Sequence, residues 1–240
     1  MNDRRSDREL EGEIALVTGA SSGIGRATAL LLARSGARVA ALARSVDALE
    51  ALCREARDAI IPVPCDLEHE ESIERAIADV AARLGSVSIL VNNAGHIEPR
   101  PLEVMEIASW DRHFAVNVRA AFIAIRLVLP HMRKAEHGAI VNVSSISGVA
   151  GPEKFPGFTA YGASKAALIA LTELLAVEIR GSGVRVNCIS PGSVATPMLR
   201  RVAPSLEADM TPDEVAESIL FLASPRSAAI NGQNVHVYGN

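Results

Sequence analysis

Residues 13–36 read EIALVTGASSGIGRATALLLARSG and join three elements in one stretch. A short apolar run is followed by a glycine-rich turn and then by an apolar segment that ends at Gly36. Continuous apolar runs bounded by turn residues are typical of strands whose two sides are both covered. The stretch therefore predicts a buried strand, a tight turn and a helix, which together form the first unit of an α/β fold.

The same alternation continues along the whole chain. Further strand-like runs are RVAALA, AIIPVP, VSILVN, AIVNVS, VRVNCI and NVHVY, separated by helical stretches such as EESIERAIADVAARLG and PDEVAESILFLAS. Gly85 and Gly181, like Gly36, fall where helices are expected to end. The pattern predicts one α/β domain over residues 10–240, a Rossmann-type doubly wound parallel sheet of about seven strands with helices on both faces. Residues 1–9 are charged and are expected to form a disordered tail.

Composition narrows the classes of function. The 240 residues are 49% hydrophobic and carry 24 Lys and Arg against 28 Asp and Glu, a formal net charge of −4. With 3% aromatics and no basic block, no nucleic-acid surface is expected. The histidines and cysteines show no metal-ligand spacing, so no metal site is expected. The charged N-terminus lacks a signal-peptide core and no run of 18 apolar residues follows, which predicts a cytoplasmic protein without membrane contact.

The turn TGASSGIG, Thr18 to Gly25, has the composition of a phosphate-binding turn. Glycines leave room for backbone to approach a pyrophosphate, and the N-terminus of the next helix offers free N–H groups. The spacing G-x-x-x-G-x-G differs from the common G-x-G-x-x-G fingerprint, and a tight turn without a ligand would use the same residues. GASSG also matches the G-x-S-x-G motif of α/β-hydrolases, with Ser21 as nucleophile. That hydrolase remains a weak alternative, because the motif follows the first strand and no histidine stands obviously after a later one.

Polar motifs follow the fourth and fifth predicted strands. NNAG covers Asn92 to Gly95, and NVSSISG covers Asn142 to Gly148. Ligands of open α/β sheets bind at the carboxyl ends of strands, so both motifs are candidates for a site, although ordinary turns use the same residue types. YGASK then sets Tyr161 and Lys165 four residues apart, which places both on one face of a helix.

In this order, TGASSGIG, NNAG, the Asn of WDRHFAVN, SSISG, YGASK and SPGSVATPM resemble the short-chain dehydrogenase/reductase family, single-domain type, and its 3-oxoacyl-carrier-protein reductases. The resemblance covers roughly residues 10 to 240 and is specific as a joint pattern. It implies an NAD(P)(H)-dependent oxidoreductase that interconverts a ketone and a secondary alcohol by hydride transfer. The implied partners are a small-molecule carbonyl or alcohol substrate, with a thioester-tethered one included, and further copies of the chain.

The resemblance implies roles for individual residues. Tyr161 would be the general acid/base, and Lys165 would bind the nicotinamide ribose and lower the pKa of the tyrosine. Ser145 would hold the substrate carbonyl, and Asn117, one turn into a long helix, would anchor a water that relays protons to Lys165. The cofactor would be bound by Gly19, Ser21, Ser22, Gly23, Ile24, Gly25, Arg44, Asp66, Leu67, Asn93, Ala94, Gly95, Tyr161, Lys165, Pro191, Gly192, Val194 and Thr196.

The residues after the second strand bear on the choice of cofactor. AALARS places Ala43 where NAD-preferring relatives carry an Asp, with Arg44 beside it. A guanidinium pairs with a 2′-phosphate that an acid would repel. NADP (NADPH) is therefore the favoured cofactor and NAD the alternative. The sequence is equally consistent with Arg44 being a solvated loop residue that binds no phosphate.

Three segments depart from the family pattern. The substrate lid, at about residues 198–211, is shorter than in common relatives, which predicts an open pocket for bulky or tethered carbonyl substrates. Arg200 and Arg201 would meet an anionic group at its rim, or be solvated loop residues. The loop between Ser145 and Tyr161 is longer than usual, and Tyr238 and Asn240 replace the usual Asp and Gly.

Two further expectations concern assembly and an alternative function. The helices AFIAIRLVLPHM and KAALIALTELLAVEI are apolar nearly all round, which for this family implies a homodimer or homotetramer. A non-catalytic dinucleotide-binding sensor or scaffold would need only the glycine turn. The presence of the full Asn, Ser, Tyr and Lys set favours the enzyme.

Overall fold

The computed structural model describes residues 8–152 and 154–239. Within them, seven strands form one parallel sheet in the order β3-β2-β1-β4-β5-β6-β7. The strands are β1 (Ile14–Thr18), β2 (Arg38–Ala43), β3 (Ile60–Pro64), β4 (Ile89–Asn92), β5 (Gly138–Val143), β6 (Val184–Pro191) and β7 (Asn234–Val237). The predicted doubly wound fold is confirmed. The first seven residues of the predicted tail, and Asn240, lie outside the described residues.

Eight α-helices cover the two faces of the sheet in the described part of the chain. They are α1 (Gly23–Arg34), α2 (Val46–Glu55), α3 (Glu70–Arg83), α4 (Ile107–Phe114), α5 (Ala120–Ala135), α6 (Thr159–Glu178), α7 (Pro197–Val202) and α8 (Pro212–Ala223). Buried side chains of α1, α2 and α8 pack on one face, and those of α3, α5 and α6 on the other. Within β1, Ala15 and Val17 belong to the first cluster and Leu16 to the second. Burial on both faces explains why the strands read as unbroken apolar runs.

The sheet order reverses between β1 and β4. From β1 the chain builds outward through β2 and β3, and then returns to place β4 on the other side of β1. A crevice forms outside the carboxyl ends of the strands at such a switch point, because the connections leave in opposite directions. The motifs TGASSGIG and NNAG both begin at this point of the sheet.

The edge strand β3 contains Pro62 and Pro64. Cys65 donates its N–H to the carbonyl of Ala43 on β2, at 2.9 Å. Because N–H groups alternate in direction along a strand, positions 62 and 64 face away from β2 and lose no sheet hydrogen bond to proline. The two prolines also leave this edge with fewer donors for an added strand.

The long helix expected around Asn117 forms, but it contains one irregular turn. Helices α4 and α5 are continuous through a five-residue π-helical turn, Ala115–Arg119, in which the N–H of Ala120 donates to the carbonyl of Ala115. Asn117 was expected one turn into a long helix, but it lies in a π-helical turn, about three turns after Ile107, where the continuous helix begins. Such turns hold one more residue than an α-helical turn and occur often at functional sites.

Two helical stretches are long and apolar enough to cross a membrane by length and composition alone, Ile107–Ala135 and Thr159–Glu178. In the first, half of the most apolar window is buried inside the fold, and in the second 39% is buried. Both contribute side chains to the core cluster on one face of the sheet. Core helices of soluble domains pass the same test, so packing on the sheet accounts for much of their apolar character.

Candidate active site

A cleft of about 460 Å³ opens at the carboxyl ends of β1, β2, β4 and β5. Most residues predicted to bind a cofactor line it: Gly19, Ser21, Ser22, Gly23, Ile24, Arg44, Asp66, Leu67, Asn93, Ala94, Gly95, Tyr161, Lys165 and Thr196. Four predicted residues lie outside this lining: Gly25, Pro191, Gly192 and Val194. Sequence reasoning did not assign Glu68, His96 or Met198 to the site, although all three line the cleft.

The glycine turn leaves the N-terminus of α1 free. Gly19 and Gly23 have φ of +67° and +53°, values that side chains adopt at a cost. Within the described residues, the N-cap Ser22 makes no side-chain capping hydrogen bond, and the first turn of α1 carries no acidic residue. The N–H groups at this helix end and its dipole are therefore available to an anion.

Gly25 and Asn93 pack against the backbone of the glycine turn. A Cβ on Gly25 would clash with Asn93 Nδ2 and with the carbonyl oxygen of Gly19. Asn93 Nδ2 donates to the carbonyl of Thr18 at 2.8 Å, and Thr18 Oγ1 accepts the N–H groups of Asn93 and Ala94, both at 3.0 Å. The two motifs thus fasten the ends of β1 and β4 to each other, which explains why Gly25 is set back from the cleft.

Tyr161 lies in the first turn of α6, and Lys165 one turn later on the same face. Lys165 is 2% exposed, its Nζ donates to the carbonyl of Val143 at 2.8 Å, and that nitrogen lies 5.7 Å from the Tyr161 ring centroid. Ser145 Oγ accepts the N–H of Ser147 at 3.1 Å, and its side chain is near enough to Tyr161 to affect the pKa of the phenol. Ser144 Oγ donates to the carbonyl of Lys165 at 2.8 Å and so ties the end of β5 to α6. The structure brings Ser145, Tyr161 and Lys165 together, while their catalytic roles stay predictions.

The pKa shifts at these residues have burial as their main cause. Burial raises the pKa of Tyr161, and the hydrogen bond with Ser145 acts in the opposite direction. Burial lowers the pKa of Lys165 to about 8. The ammonium of Lys165 is directed at the carbonyl of Val143, and a lowering of the tyrosine pKa by this lysine stays a prediction.

Asn117 holds the segment that follows NNAG. Its Oδ1 accepts the N–H of His96 at 2.6 Å, and its Nδ2 donates to the carbonyl of His96 at 3.0 Å and to Ser164 Oγ at 2.8 Å. The side chain is 1% exposed. It joins the end of β4 to α6, so it positions the cleft wall, while the anchoring of a relay water stays a prediction.

His96 is a cleft residue with an unusual environment. Its ring lies 4.8 Å from that of His113 in an edge-on arrangement, and burial lowers its pKa to about 4. His113 in turn accepts the N–H of Glu98 through Nε2, at 3.1 Å. His96 is therefore a neutral imidazole near pH 7, in contrast to the cationic Lys165 in the same cleft.

The long loop between Ser145 and Tyr161 contributes a cation to the turn that carries Ser145. The ammonium of Lys154 donates to the carbonyls of Ile146 and Ser147, at 3.3 and 3.2 Å, and also to that of Val149. The sequence showed the extra length of this loop but not where its lysine would bind. The contact stabilises the short 3₁₀ turn after β5.

The predicted lid region, residues 198–211, contains little regular structure. Helix α7 has six residues and is capped by Thr196, whose Oγ1 accepts the N–H of Leu199 at 3.1 Å. Val194 and Met210 then form an isolated bridge that closes the segment at its base. Met198 and Arg201 line the cleft, whereas Arg200 does not. That this segment serves as a lid remains a prediction.

The hydrolase alternative finds no geometric support. Ser21 lines the cleft, but within the described residues no hydrogen bond joins its hydroxyl to a histidine. A nucleophilic serine needs such a base within hydrogen-bond reach.

This fold, with a glycine turn after β1, a serine after β5 and a tyrosine and lysine in α6, defines a class of dinucleotide-binding oxidoreductases. The family model of the short chain dehydrogenases matches residues 13–207. The chain belongs to that family, whose members are oxidoreductases that bind NAD(P).

Individual relatives are similar over nearly their whole length. The 3-oxoacyl-[acyl-carrier-protein] reductase FabG of Thermotoga maritima is 37% identical over 243 residues, covering 96% of this chain and 98% of the relative. The 2-(R)-hydroxypropyl-CoM dehydrogenase of Xanthobacter autotrophicus is 37% identical, covering 91% and 94%. A solved structure of 3-ketoacyl-(acyl-carrier-protein) reductase from Brucella melitensis complexed with NADH is 32% identical, with a TM-score of 0.87 over 96% of this chain and 98% of that one. Relatives with different substrates match equally well, so the comparisons establish the class and not the substrate.

Proposed function

We propose that the protein is an NADPH-dependent reductase that converts a ketone into a secondary alcohol, with Tyr161 as the proton donor. The observation that carries this proposal is the convergence of Ser145, Tyr161 and Lys165 beside the cleft that also contains the glycine turn. A protein that only bound a dinucleotide would need the turn alone. The buried lysine is costly to maintain, and a catalytic role explains it.

The cleft fits a nicotinamide dinucleotide. Gly19 lies so close to Ala94 and Asn93 that a Cβ would approach both within 2.9 Å, and Gly23 lies against Thr196, with a Cβ at 3.0 Å from its methyl group. Side chains at these two positions would therefore clash with neighbouring protein atoms. The uncapped end of α1 would hold the pyrophosphate, and Asp66 and Leu67 would line the adenine, since both lie beside Arg44 in the cleft wall.

The proposed chemistry assigns each group one task. A reduced nicotinamide, when bound, supplies a hydride to the carbonyl carbon of the substrate. Ser145 orients the carbonyl oxygen by a hydrogen bond, and Tyr161 donates its phenolic proton to that oxygen. Lys165 is cationic below its pKa of about 8, so its charge stabilises the phenolate that remains.

Arg44 supports NADPH as the cofactor. It follows β2 at the cleft wall, its side chain is 74% exposed, and the residue before it is Ala43 and not an acid. A flexible guanidinium can form paired hydrogen bonds with a 2′-phosphate. The NADH in the solved Brucella relative shows that a similar chain binds the unphosphorylated cofactor, so NADH is the matched comparison in any test.

The substrate proposed is a bulky or thioester-tethered ketone of the 3-oxoacyl type. The predicted lid segment contains one short helix, the six-residue α7, and Arg201 lines the cleft wall, where it can meet an anionic group. Two relatives whose names include an acyl-carrier-protein substrate are similar to this chain, one in sequence and one in solved structure. An open pocket suits a substrate whose larger part stays outside.

Exposed apolar side chains support a homo-oligomer. Phe122 on α5 and Leu174 and Val177 on α6 are each about half or more exposed. Apolar residues on two adjacent helices are typical of a symmetric helix-to-helix interface. We therefore propose a homodimer or homotetramer formed through α5 and α6.

A spectrophotometric assay tests the function directly. Purified protein is mixed with NADPH or NADH and a panel of ketones and 3-oxoacyl thioesters, and cofactor oxidation is followed optically. NADPH oxidation that depends on a ketone supports the proposal. Tight binding of NADPH without turnover on any carbonyl would instead support a nucleotide sensor.

A further inference from the structure

A group of charged side chains surrounds Glu68 at the end of the cleft formed by β2 and β3. This arginine–glutamate cluster consists of Arg44, Glu68, Arg112 and Arg119. It lies beside the edge strands of the sheet, three to four strands away from β5 and the tyrosine. No motif in the sequence pointed to Glu68, because its partners come from α4 and from the π-helical turn.

Glu68 is held firmly. Its Oε2 accepts a hydrogen bond from Arg112 Nε at 3.0 Å, and its backbone carbonyl accepts one from Arg119 Nη2 at 2.7 Å. Its N–H donates to Asp66 Oδ1 at 3.0 Å, and its side chain is only 25% exposed. Three hydrogen bonds therefore fix both the backbone and the carboxylate of Glu68 at the cleft wall.

Arg44 is held loosely in comparison. Its Nη1 lies 3.9 Å from Glu68 Oε1, which is an ion pair but too long for a hydrogen bond. Its side chain is 74% exposed. An arginine in this state can turn toward an anion at little cost, whereas Glu68 cannot move away.

We propose that Glu68 limits how strongly the protein prefers a 2′-phosphorylated nucleotide, by placing a fixed negative charge beside Arg44. This inference rests on the proposed role of Arg44 in NADPH binding. Arg44 must give up its pairing with Glu68 to meet the phosphate, and the phosphate then lies near a carboxylate that Arg112 keeps in place. The neutral 2′-hydroxyl of NADH meets no such repulsion. Glu68 therefore lowers the affinity for the phosphorylated cofactor relative to that for NADH.

Removal of this charge should raise the affinity for a 2′-phosphorylated nucleotide selectively. Two unit charges about 6 Å apart in a partly screened site change a binding constant by about tenfold. Glu68→Gln should therefore raise the affinity for a 2′-phosphorylated nucleotide about tenfold relative to its unphosphorylated counterpart. The amide retains an oxygen that can accept from Arg112, so the cluster should keep its shape.

Binding of two cofactor fragments tests the inference without any reaction. The dissociation constants of adenosine 2′,5′-bisphosphate and of 5′-AMP are measured by calorimetry on the full chain. The measured quantity is the ratio of the 5′-AMP constant to the bisphosphate constant. Glu70→Gln is the matched control, because Glu70 lies two residues away and pairs with Arg126 at 3.1 Å outside the cleft lining.

The outcomes separate this inference from the proposed cofactor preference. A rise of the ratio in Glu68→Gln that shrinks with added salt, with Glu70→Gln within about twofold of wild type, supports the role of Glu68. An unchanged or lowered ratio in Glu68→Gln, or an equal rise in Glu70→Gln, overturns it. If the wild-type chain binds 5′-AMP at least as tightly as the bisphosphate, the NADPH proposal fails, yet the response of the ratio to Glu68→Gln still decides the inference. Thermal melting of each variant checks that the fold is intact.

Discussion

The two ends of the cleft place their charges in opposite surroundings. At the tyrosine end, Lys165 is 2% exposed and burial shifts the pKa values of both Lys165 and Tyr161. At the arginine end, Arg44 is 74% exposed and shares Glu68 with Arg112. Charges interact strongly where water is excluded and weakly where it is present. Substitutions at the buried end should therefore abolish the reaction, while those at the exposed end should adjust the choice of cofactor.

The largest effect is expected at the buried end, from Tyr161→Phe. The substitution removes the proton donor and keeps the ring, so kcat should fall by about a thousandfold or more while the affinity for NADPH stays nearly unchanged. Steady-state kinetics and a fluorescence titration of NADPH measure the two quantities. Activity close to that of the wild type in this variant would contradict both the mechanism and the contrast between the two ends.

A large effect is also expected from Lys165→Met, on activity and on the pH dependence of stability. Loss of the ammonium should lower kcat by about a hundredfold. The pKa of Lys165 is about 8 in the folded chain and 10.5 without the fold, so between these values the unfolded chain binds more protons. The wild-type protein should therefore gain stability relative to Lys165→Met as the pH rises from about 8 to about 10.5.

Thermal melting across this pH range makes the comparison. Lys134→Met is the control, because Lys134 lies in the exposed last turn of α5. Parallel melting curves for the wild type and Lys165→Met at every pH would show that the lysine is not strained by burial.

A smaller effect is expected at the exposed end, from Arg44→Ala. The affinity for NADPH should fall about tenfold and that for NADH about twofold or less, because only the phosphorylated cofactor offers a partner for the guanidinium. Arg54→Ala is a matched control, since Arg54 is also largely exposed and pairs with Glu50 on α2. Equal losses of affinity for the two cofactors would contradict the proposal that Arg44 binds the 2′-phosphate.

The smallest effect on kcat/KM is expected when the size of the substrate is varied. With α7 limited to six residues, kcat/KM should vary by no more than about tenfold across ketones of increasing size. A series of ketones assayed at one NADPH concentration provides the test. A steep preference for a single small ketone would show that the site is enclosed by some other means.

The fold was largely predictable because the central strands are buried on both sides. β1 and β2 have the bounds expected to within one residue, since apolar runs and turn residues coincide there. Helix α2 was not anticipated, because VDALEALCRE is nearly half charged and buries only Leu49 and Leu52 in its own span. Its N-cap Ser45 gives a signal that could have found it, since the Ser45 hydroxyl accepts the N–H of Ala48.

The candidate site was predictable only where motifs carried it. Ser145, Tyr161 and Lys165 converge as the family pattern implies. Glu68 was missed because it pairs with Arg112, which is 44 positions away, and no local pattern records such a contact. The raised pKa of Tyr161 also could not be read from spacing, because it depends on how completely water is excluded.

The π-helical turn Ala115–Arg119 changes the phase of one long helix. A π turn contains one residue more than an α turn, so the side chains of α4 and α5 follow two registers that differ by about a quarter of a rotation. Asn117 occupies the junction, where its amide reaches both the N–H and the carbonyl of His96. The site thus depends on what amounts to a single-residue insertion. Deleting one residue there would restore a regular helix and realign α5 against the sheet, at the cost of the one backbone irregularity that lets this helix reach the cleft.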